Sequence, residues 1–304
     1  MINLKDRVII VTGGGRGIGR EHSLYLAKNG ALVVVNDLGG ASDGSGSDKS
    51  AADTVVAEII SEGGTAVANT DSVTDFNGAK AIIETAIDAF GDLHGVINNA
   101  GILRDHMLVS MSEEDFDSVI AVHLKGTFAV TKFAAEYWRD QHKSGKNAER
   151  TIVNTSSAAG LHGNVGQTNY SAAKAGIAAM TIVHAQELKR YQVSANCIAP
   201  IARTRLTLQT PGLSDVMEKS VFDPGNISPL VSYLSGEGCP FNGQVFSVYG
   251  GSVGIYQGWS IAEEIAVQNS WTIEEFAQAM DKLPKSVKVN SQMDAILKAA
   301  SASN

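Results

Sequence analysis

The 304-residue chain has only two cysteines, Cys197 and Cys239. Two thiols cannot build a disulfide framework or a cysteine-rich zinc site, which points to a reducing compartment. No stretch approaches the roughly 20 consecutive apolar residues that a membrane span needs. Basic excess is missing too, with a formal net charge of −8. An acidic chain has no general attraction for nucleic acid or for an anionic membrane. The opening "MINLKDRVIIVTGGG" lacks the charged-then-apolar layout and small-residue cleavage site of a secretory signal. The closing "KAASASN" carries no prenylation, peroxisomal or ER-retention signal. These absences make the cytoplasm the expected location. The histidines form no ligand cluster: His22 and His184 fall in predicted helices, and His94, His106, His142 and His162 in loops or junctions. No metal site is therefore expected. Met107 and Met111 read as core or pocket filler.

What is present is a regular alternation. Apolar runs occur at 7–13, 31–37, 65–71, 93–101, 150–157, 193–200 and 243–251, and the first six are each followed by polar or helical sequence. β-branched runs without polar alternation suggest strands buried on both faces, as in a parallel sheet. The pattern predicts an α/β fold: a doubly wound, mostly parallel, seven-stranded Rossmann-type sheet with helices on both faces. The Gly/Ser-rich 38–50 reads as a surface loop and 139–150 as a polar loop. No repeat or interior linker interrupts the pattern. We expect residues 1–251 to form the dinucleotide-binding domain and 252–304 a helical extension packed on it. Within that extension, Thr272 and Glu275 have capping-box spacing at the head of an amphipathic stretch, 270–283.

"TGGGRGIG" (12–19) joins the first strand to a helix. Gly13, Gly17 and Gly19 allow a tight turn and close backbone approach to a phosphate, which the helix N-terminus then favours. Asp37 closes the second strand about 20 residues on, where a carboxylate accepts from both hydroxyls of an adenosine ribose. That charge repels the extra phosphate of NADP, whereas Arg16 in the glycine loop would attract it. The repulsion acts at the ribose itself, so NAD is the expected cofactor. Asp71, ending the third strand, reads equally as an acceptor for an adenine amino group and as a helix N-cap.

In "NYSAAKAG" (169–176), Tyr170 and Lys174 stand four apart and share one helix face. Taken alone, the pair is unremarkable. In this context it reads as a phenol made more acidic by a fixed ammonium, the proton acceptor that oxidation of an alcohol needs.

"TGGGRGIG", "NNAG" (98–101), "NTSS" (154–157) and "YSAAK" (170–174), in this order at the strand ends, resemble the short-chain dehydrogenase/reductase family over about residues 5–251. "ALVVVNDLGG", "NNAGILRD", "VHLKGTF" and "GQTNYSAAKAG" are similar to its (3R)-hydroxyacyl-CoA dehydrogenase branch, found in peroxisomal multifunctional enzymes and also described as type 4 17β-hydroxysteroid dehydrogenase. The resemblance implies Tyr170 as acid/base, Lys174 holding the nicotinamide ribose, and Ser157 bonding the substrate oxygen, with its neighbour Ser156 structural. Arg16, Ile18, Ser72, Asn99, Ala100, Gly101, Ile198 after strand six and Ile201 would lie along the cofactor. His123 stands where the broad family has an asparagine holding a relay water, and the closer branch tends to share this histidine. Neutral imidazole can both donate and accept, so relay residue and core histidine stand as equal readings. The family's "PG" after strand six is Pro200–Ile201 here.

The implied substrate is a hydroxyacyl-CoA ester. A hydroxysteroid dehydrogenase, a 3-oxoacyl-carrier-protein reductase and a non-catalytic NAD-binding scaffold are the alternatives. The small residues of 172–190 suit close helix contact, and the resemblance implies a homodimer or homotetramer.

Overall fold

In the computed structural model, which describes residues 2–48, 50–209, 220–258, 260–261, 263–266 and 270–284, the alternation becomes a single open sheet. The first half runs β1 (Val8–Thr12), α1 (Gly17–Lys28), β2 (Leu32–Asn36), α2 (Ser50–Ser61), β3 (Thr65–Asn69), α3 (Phe76–Phe90) and β4 (Gly95–Asn98). There follow α4 (Glu113–Ile120), α5 (Gly126–Lys143), β5 (Arg150–Thr155), α6 (Ala158–His162), α7 (Thr168–Glu187) and β6 (Val193–Pro200). The described chain closes with α8 (Ser228–Ser235), β7 (Val245–Tyr249), β8 (Ser252–Ile255) and α9 (Ile273–Met280).

Strand order is β3-β2-β1-β4-β5-β6-β7-β8. The order reverses between β1 and β4, which opens a crevice at the carboxyl ends of those strands. The apolar runs are continuous because each strand packs on both faces. Ile9, Val11, Val33 and Val35 meet Leu26 of α1, Val55 of α2 and Val231 of α8. Their neighbours Val8, Ile10 and Val34 meet Ile82 of α3 and Val130 and Trp138 of α5. Each such side chain contributes about 1.5–3 kcal/mol on burial.

Several expectations change. The sheet has eight strands and not seven: after β7 the chain turns at Gly250 (φ 48°), and Ser252–Ile255 pairs antiparallel with β7. The first residues of the expected extension therefore belong to the main sheet and cover what would have been its bare edge. The polar stretch expected as a loop from 139 is helical as far as Lys143, because its charged residues face solvent on the last turns of α5. His142 and His162 lie in helices. Met107 is 58% exposed and fills no core. Thr272 and Glu275 do form a capping box on α9; the remainder of the extension, 285–304, lies outside the described residues. No helix among the described residues is long and apolar enough to cross a membrane.

At the opposite end of the sheet from the crevice, two arginines are buried. Arg7 donates to the carbonyls of Ser235, Glu149 and His94. Arg150 donates to Leu93 O and to Asp92 (2.6 Å), and Asp92 also accepts from the Tyr137 hydroxyl (2.9 Å). Burial works against the Asp92 carboxylate, but Arg150, the Leu93 amide and Tyr137 together hold its pKa below the usual range. A depressed carboxyl stabilises the fold above its unfolded pKa of about 4 and loses that contribution as pH falls through the folded value. Asp92→Ala leaves Arg150 buried without its counter-charge. Because Asp92 still reaches solvent, we expect a loss of about 2–3 kcal/mol at neutral pH, toward or below the low end for a broken buried pair. Urea denaturation should show this difference shrinking below pH about 4; a constant difference down to pH 2 would contradict the assignment.

Candidate active site

The glycine loop leaves β1 with Gly13 in the left-handed region (φ 63°) and enters α1 at Gly17 (φ 53°). Arg16 sits at the N-cap with no side-chain cap, and the first turn holds no acidic residue. The turn thus presents backbone amides and a positive dipole end, the arrangement that suits a phosphate. Gly19 does not border the cleft but lets the helix abut the loop, since a Cβ there would fall 2.0 Å from Gly13 O. Asn99 Nδ2 pins the turn from below by donating to the carbonyls of Thr12 (3.1 Å) and Gly13 (3.2 Å).

Asp37 accepts from the Gly15 amide (2.9 Å) and the Gly39 amide (2.7 Å), one on each carboxylate oxygen. Each oxygen keeps a further lone pair for a hydroxyl. Arg16 is held by other groups. It pairs with Asp48 (3.1 Å) and donates to the carbonyls of Gly39 and Gly40. Asp71 accepts from Asn69 Nδ2 (2.7 Å) and is not the helix cap, because Asp75 caps α3.

One cleft of about 330 Å³ joins these residues to the other candidates. Gly13, Arg16, Gly17, Ile18, Asp37, Asp71, Ser72, Asn99, Ala100, Gly101, His123, Ser157, Tyr170 and Lys174 all border it. Ile198 lies within β6, not after it, and is wholly buried in the core, as is Ile201. Their neighbours Pro200 and Ala202 face the cleft instead.

At the inner end of the cleft, Ser157 is the N-cap of α6 and its Oγ accepts from the Ala159 amide (3.2 Å). Tyr170 lies in the first turn of α7, with Lys174 Nζ 5.5 Å from its ring centroid. Lys174 Nζ donates to the Thr155 carbonyl (2.6 Å). Ser156 is structural: its Oγ donates to Lys174 O (2.8 Å). Gly160 lets α6 press on this helix, since a Cβ would come 2.6 Å from the Lys174 Cβ.

The Tyr170–Lys174 spacing predicts that the ammonium acidifies the phenol. In the folded chain burial dominates, and the phenol is less acidic than usual, not more. Burial pushes Tyr170 up to about 12, opposed by the Ser157 hydroxyl and reinforced by Asp105. Burial also draws Lys174 down to about 8. A lysine depressed in the folded state costs stability at neutral pH, and that cost is relieved as pH rises from about 8 toward 10.5. Lys174→Met should therefore stabilise the fold by about 1–2 kcal/mol at pH 7, after allowing for the lost bond to Thr155. A thermal melt checks this, and a destabilised variant would contradict it.

His123 is fully buried on a π-helical turn, Ala121–Lys125, inserted between α4 and α5. Nothing in "AVHLK" announces that turn. Nε2 lies 2.8 Å from Ile102 O and 3.1 Å from Ile102 N. Nδ1 has no hydrogen-bond partner among the described residues. The ring stands edge-on to Tyr170, 5.2 Å between centroids. Burial, followed by the Lys174 charge, drives its pKa well below 6.5, so the imidazole is neutral. Among the described residues no group of three or more His, Cys, Asp or Glu could hold a metal ion.

Sequence reasoning missed the residues that brace Tyr170. Asn169 Nδ2 donates to the carbonyls of Arg104 and Asp115, and Gln167 Nε2 donates to Asp105 (2.6 Å). The signal was present in "RD" after "NNAGIL" and in "GQTN" before the tyrosine, but it joins segments some 60 residues apart.

A sequence model described as short chain dehydrogenase matches residues 7–209. The chain is 44% identical to the hydroxyacyl-CoA dehydrogenase ChsB1 of Mycobacterium tuberculosis, over 83% of this chain and 80% of that one. It is 45% identical to the peroxisomal multifunctional enzyme type 2 of Mus musculus over 83% of its length, and the match spans 33% of that enzyme. The crystal structure of a short chain dehydrogenase from Mycobacterium avium superposes with a TM-score of 0.83 at 47% identity, covering 94% of this chain and 98% of that one.

Proposed function

The chain belongs to the short-chain dehydrogenase family, and from that premise we propose that it oxidises a (3R)-3-hydroxyacyl-CoA to the 3-oxoacyl ester with NAD. The observation that carries this reading is a single cleft with an acidic ribose acceptor, Asp37, at one end and Ser157, Tyr170 and Lys174 at the other. The residues fit a dinucleotide: uncapped amides at α1 for the pyrophosphate, Asp37 for the adenosine ribose, and Asp71 and Ser72 beyond it. Bound NAD would supply the hydride acceptor and a positive charge near the phenol.

The protein's own groups supply the rest. Ser157 Oγ holds the substrate hydroxyl, and Tyr170 Oη takes its proton. Lys174 stabilises the phenolate, an effect that strengthens as a second positive charge enters the cleft. Nδ1 of His123, on a neutral ring and without a partner among the described residues, is the atom to which a relay water would bond, accepting when Nε2 donates to the Ile102 carbonyl and donating when Nε2 accepts from the Ile102 amide. The engagement of Arg16 by Asp48 and two carbonyls weakens its pull on an NADP phosphate and so supports the NAD reading.

The substrate class rests on relatives named for hydroxyacyl-CoA and multifunctional activity. A hydroxysteroid uses the same reacting groups and is the second reading. A carrier-protein reductase is the third, supported by 34% identity to the Thermotoga maritima 3-oxoacyl-[acyl-carrier-protein] reductase and opposed by the acidic ribose site. Exposed Ile182 and Val183 on α7 and Phe128 on α5 support a homodimer or homotetramer. NADH formation across 3-hydroxyacyl-CoA esters of several lengths, 3-hydroxyacyl carrier protein and hydroxysteroids tests the class. Turnover of acyl-CoA esters supports it; activity on steroids with none on any ester overturns it.

A further inference from the structure

The segment after β4 touches both ends of the cleft. Toward the ribose end it meets the 39–48 loop, which borders the cleft through Gly40, Ala41 and Gly44. The Leu103 amide donates to Ser42 O (2.9 Å), and Arg104 Nε donates to Asp43 O (2.9 Å). Glu114 orients the same guanidinium by accepting from Nη1 (2.9 Å). Toward the catalytic end, the Arg104 carbonyl accepts from Asn169 Nδ2 (2.9 Å). Asn169 Oδ1 in turn accepts from the Tyr170 amide (2.7 Å).

We propose that Arg104 is a positioning residue that couples the two ends: its side chain fixes the loop over the adenosine ribose, and its carbonyl fixes the asparagine that seats Tyr170. This rests on the dinucleotide reading of the cleft. The physical basis is ordering entropy. A loop with glycines at 39, 40, 44 and 46, held to the rest of the chain by the Leu103 amide and the long side chains of Arg16, Arg104 and Arg205, is costly to hold in one conformation. A ligand that orders it lowers the cost of ordering whatever is tied to it. Arg104 is tied to it directly, and Asn169 is tied to Arg104.

Hydrogen exchange with 5′-AMP tests this, because AMP reaches the adenosine end and not Tyr170. In the unmodified full chain, AMP should slow exchange in 39–48 and also in 102–106 and the first turn of α7. Arg104→Gln cuts the side-chain tether and keeps the backbone carbonyl. In that variant AMP should still slow 39–48, while its effect on the first turn of α7 is much reduced, since the Leu103–Ser42 bond is left to carry it. The KM for NAD should rise about five- to tenfold, as expected for one charge-assisted hydrogen bond at a partly exposed site. Arg104→Lys should recover part of both effects. If AMP slows α7 equally in Arg104→Gln, or never slows it in the unmodified protein, the coupling is overturned. If AMP fails to slow 39–48 at all, the dinucleotide reading falls and takes the coupling with it.

Discussion

Tyr170→Phe should lower kcat by about three orders of magnitude while leaving the fold and NAD binding intact. The change removes one oxygen and keeps the ring, so the packing against His123 and the apolar contacts with Ile102 and Ala173 survive. Tyr170 is half-buried at the cleft, with its pKa raised to about 12. A hydroxyl removed with its unfavourable desolvation costs little stability, and the Ser157 hydroxyl keeps its bond from the Ala159 amide. Catalysis has no such substitute. General acid–base groups contribute about 10²–10⁴ in rate, and Ser157, whose hydroxyl is an alcohol of high pKa, cannot replace a phenol as base. Thermal melting, NAD titration and turnover measured on the same sample separate the two effects. A near-normal kcat would remove Tyr170 from the reaction.

Asp37→Ser should invert or erase the cofactor preference. In the unmodified protein kcat/KM should favour NAD over NADP by at least about a hundredfold, since two charge-assisted hydrogen bonds of about 1.5–3 kcal/mol each are replaced by charge repulsion. Serine keeps one weak acceptor and loses the charge. Efficiency with NAD should fall about a hundredfold, and efficiency with NADP should rise as the repulsion disappears. Part of the fall is structural, because Asp37 also receives the Gly15 and Gly39 amides. Asp37→Asn, which keeps one carboxamide oxygen, separates charge from loop geometry: NADP should improve while the melting temperature falls less than in the serine variant. Equal use of both cofactors by the unmodified protein would contradict the assignment.

Much of this molecule is legible in its sequence because the relevant physics is local. Val8–Thr12 and Leu32–Asn36 read as strands since parallel strands are apolar on both faces. Tyr170 and Lys174 read as neighbours since four residues make one helical turn. Gly13 and Asp37 read as parts of one site because a single β–α–β unit sets their spacing. What was hidden depends on contacts between distant segments. The eighth strand is four residues long and gains its ladder only from β7. The π turn at His123 adds one residue per turn inside an unbroken helical pattern, which leaves no mark on hydrophobic periodicity. The raised pKa of Tyr170 is a sum over all groups that exclude water from it, and its sign opposes the simple pair argument. Arg104 looks like an ordinary loop arginine until Asp43 and Asn169 are brought to it.

Under the proposed function, Ser157 and Tyr170 present one face of a secondary alcohol to NAD in a 3-hydroxyacyl thioester. Steady-state NADH formation with paired (3R)- and (3S)-3-hydroxyacyl-CoA of the same chain length measures this directly. A fixed acid/base on one side of the cleft admits only one alcohol configuration in reacting geometry, and a misplacement of about 1 Å costs about a hundredfold. The proposed (3R) specificity, which the resemblance implies, predicts that this ester is oxidised with kcat/KM at least about a hundredfold above its enantiomer. Preference for the (3S) ester, or equal rates with both, would contradict the account.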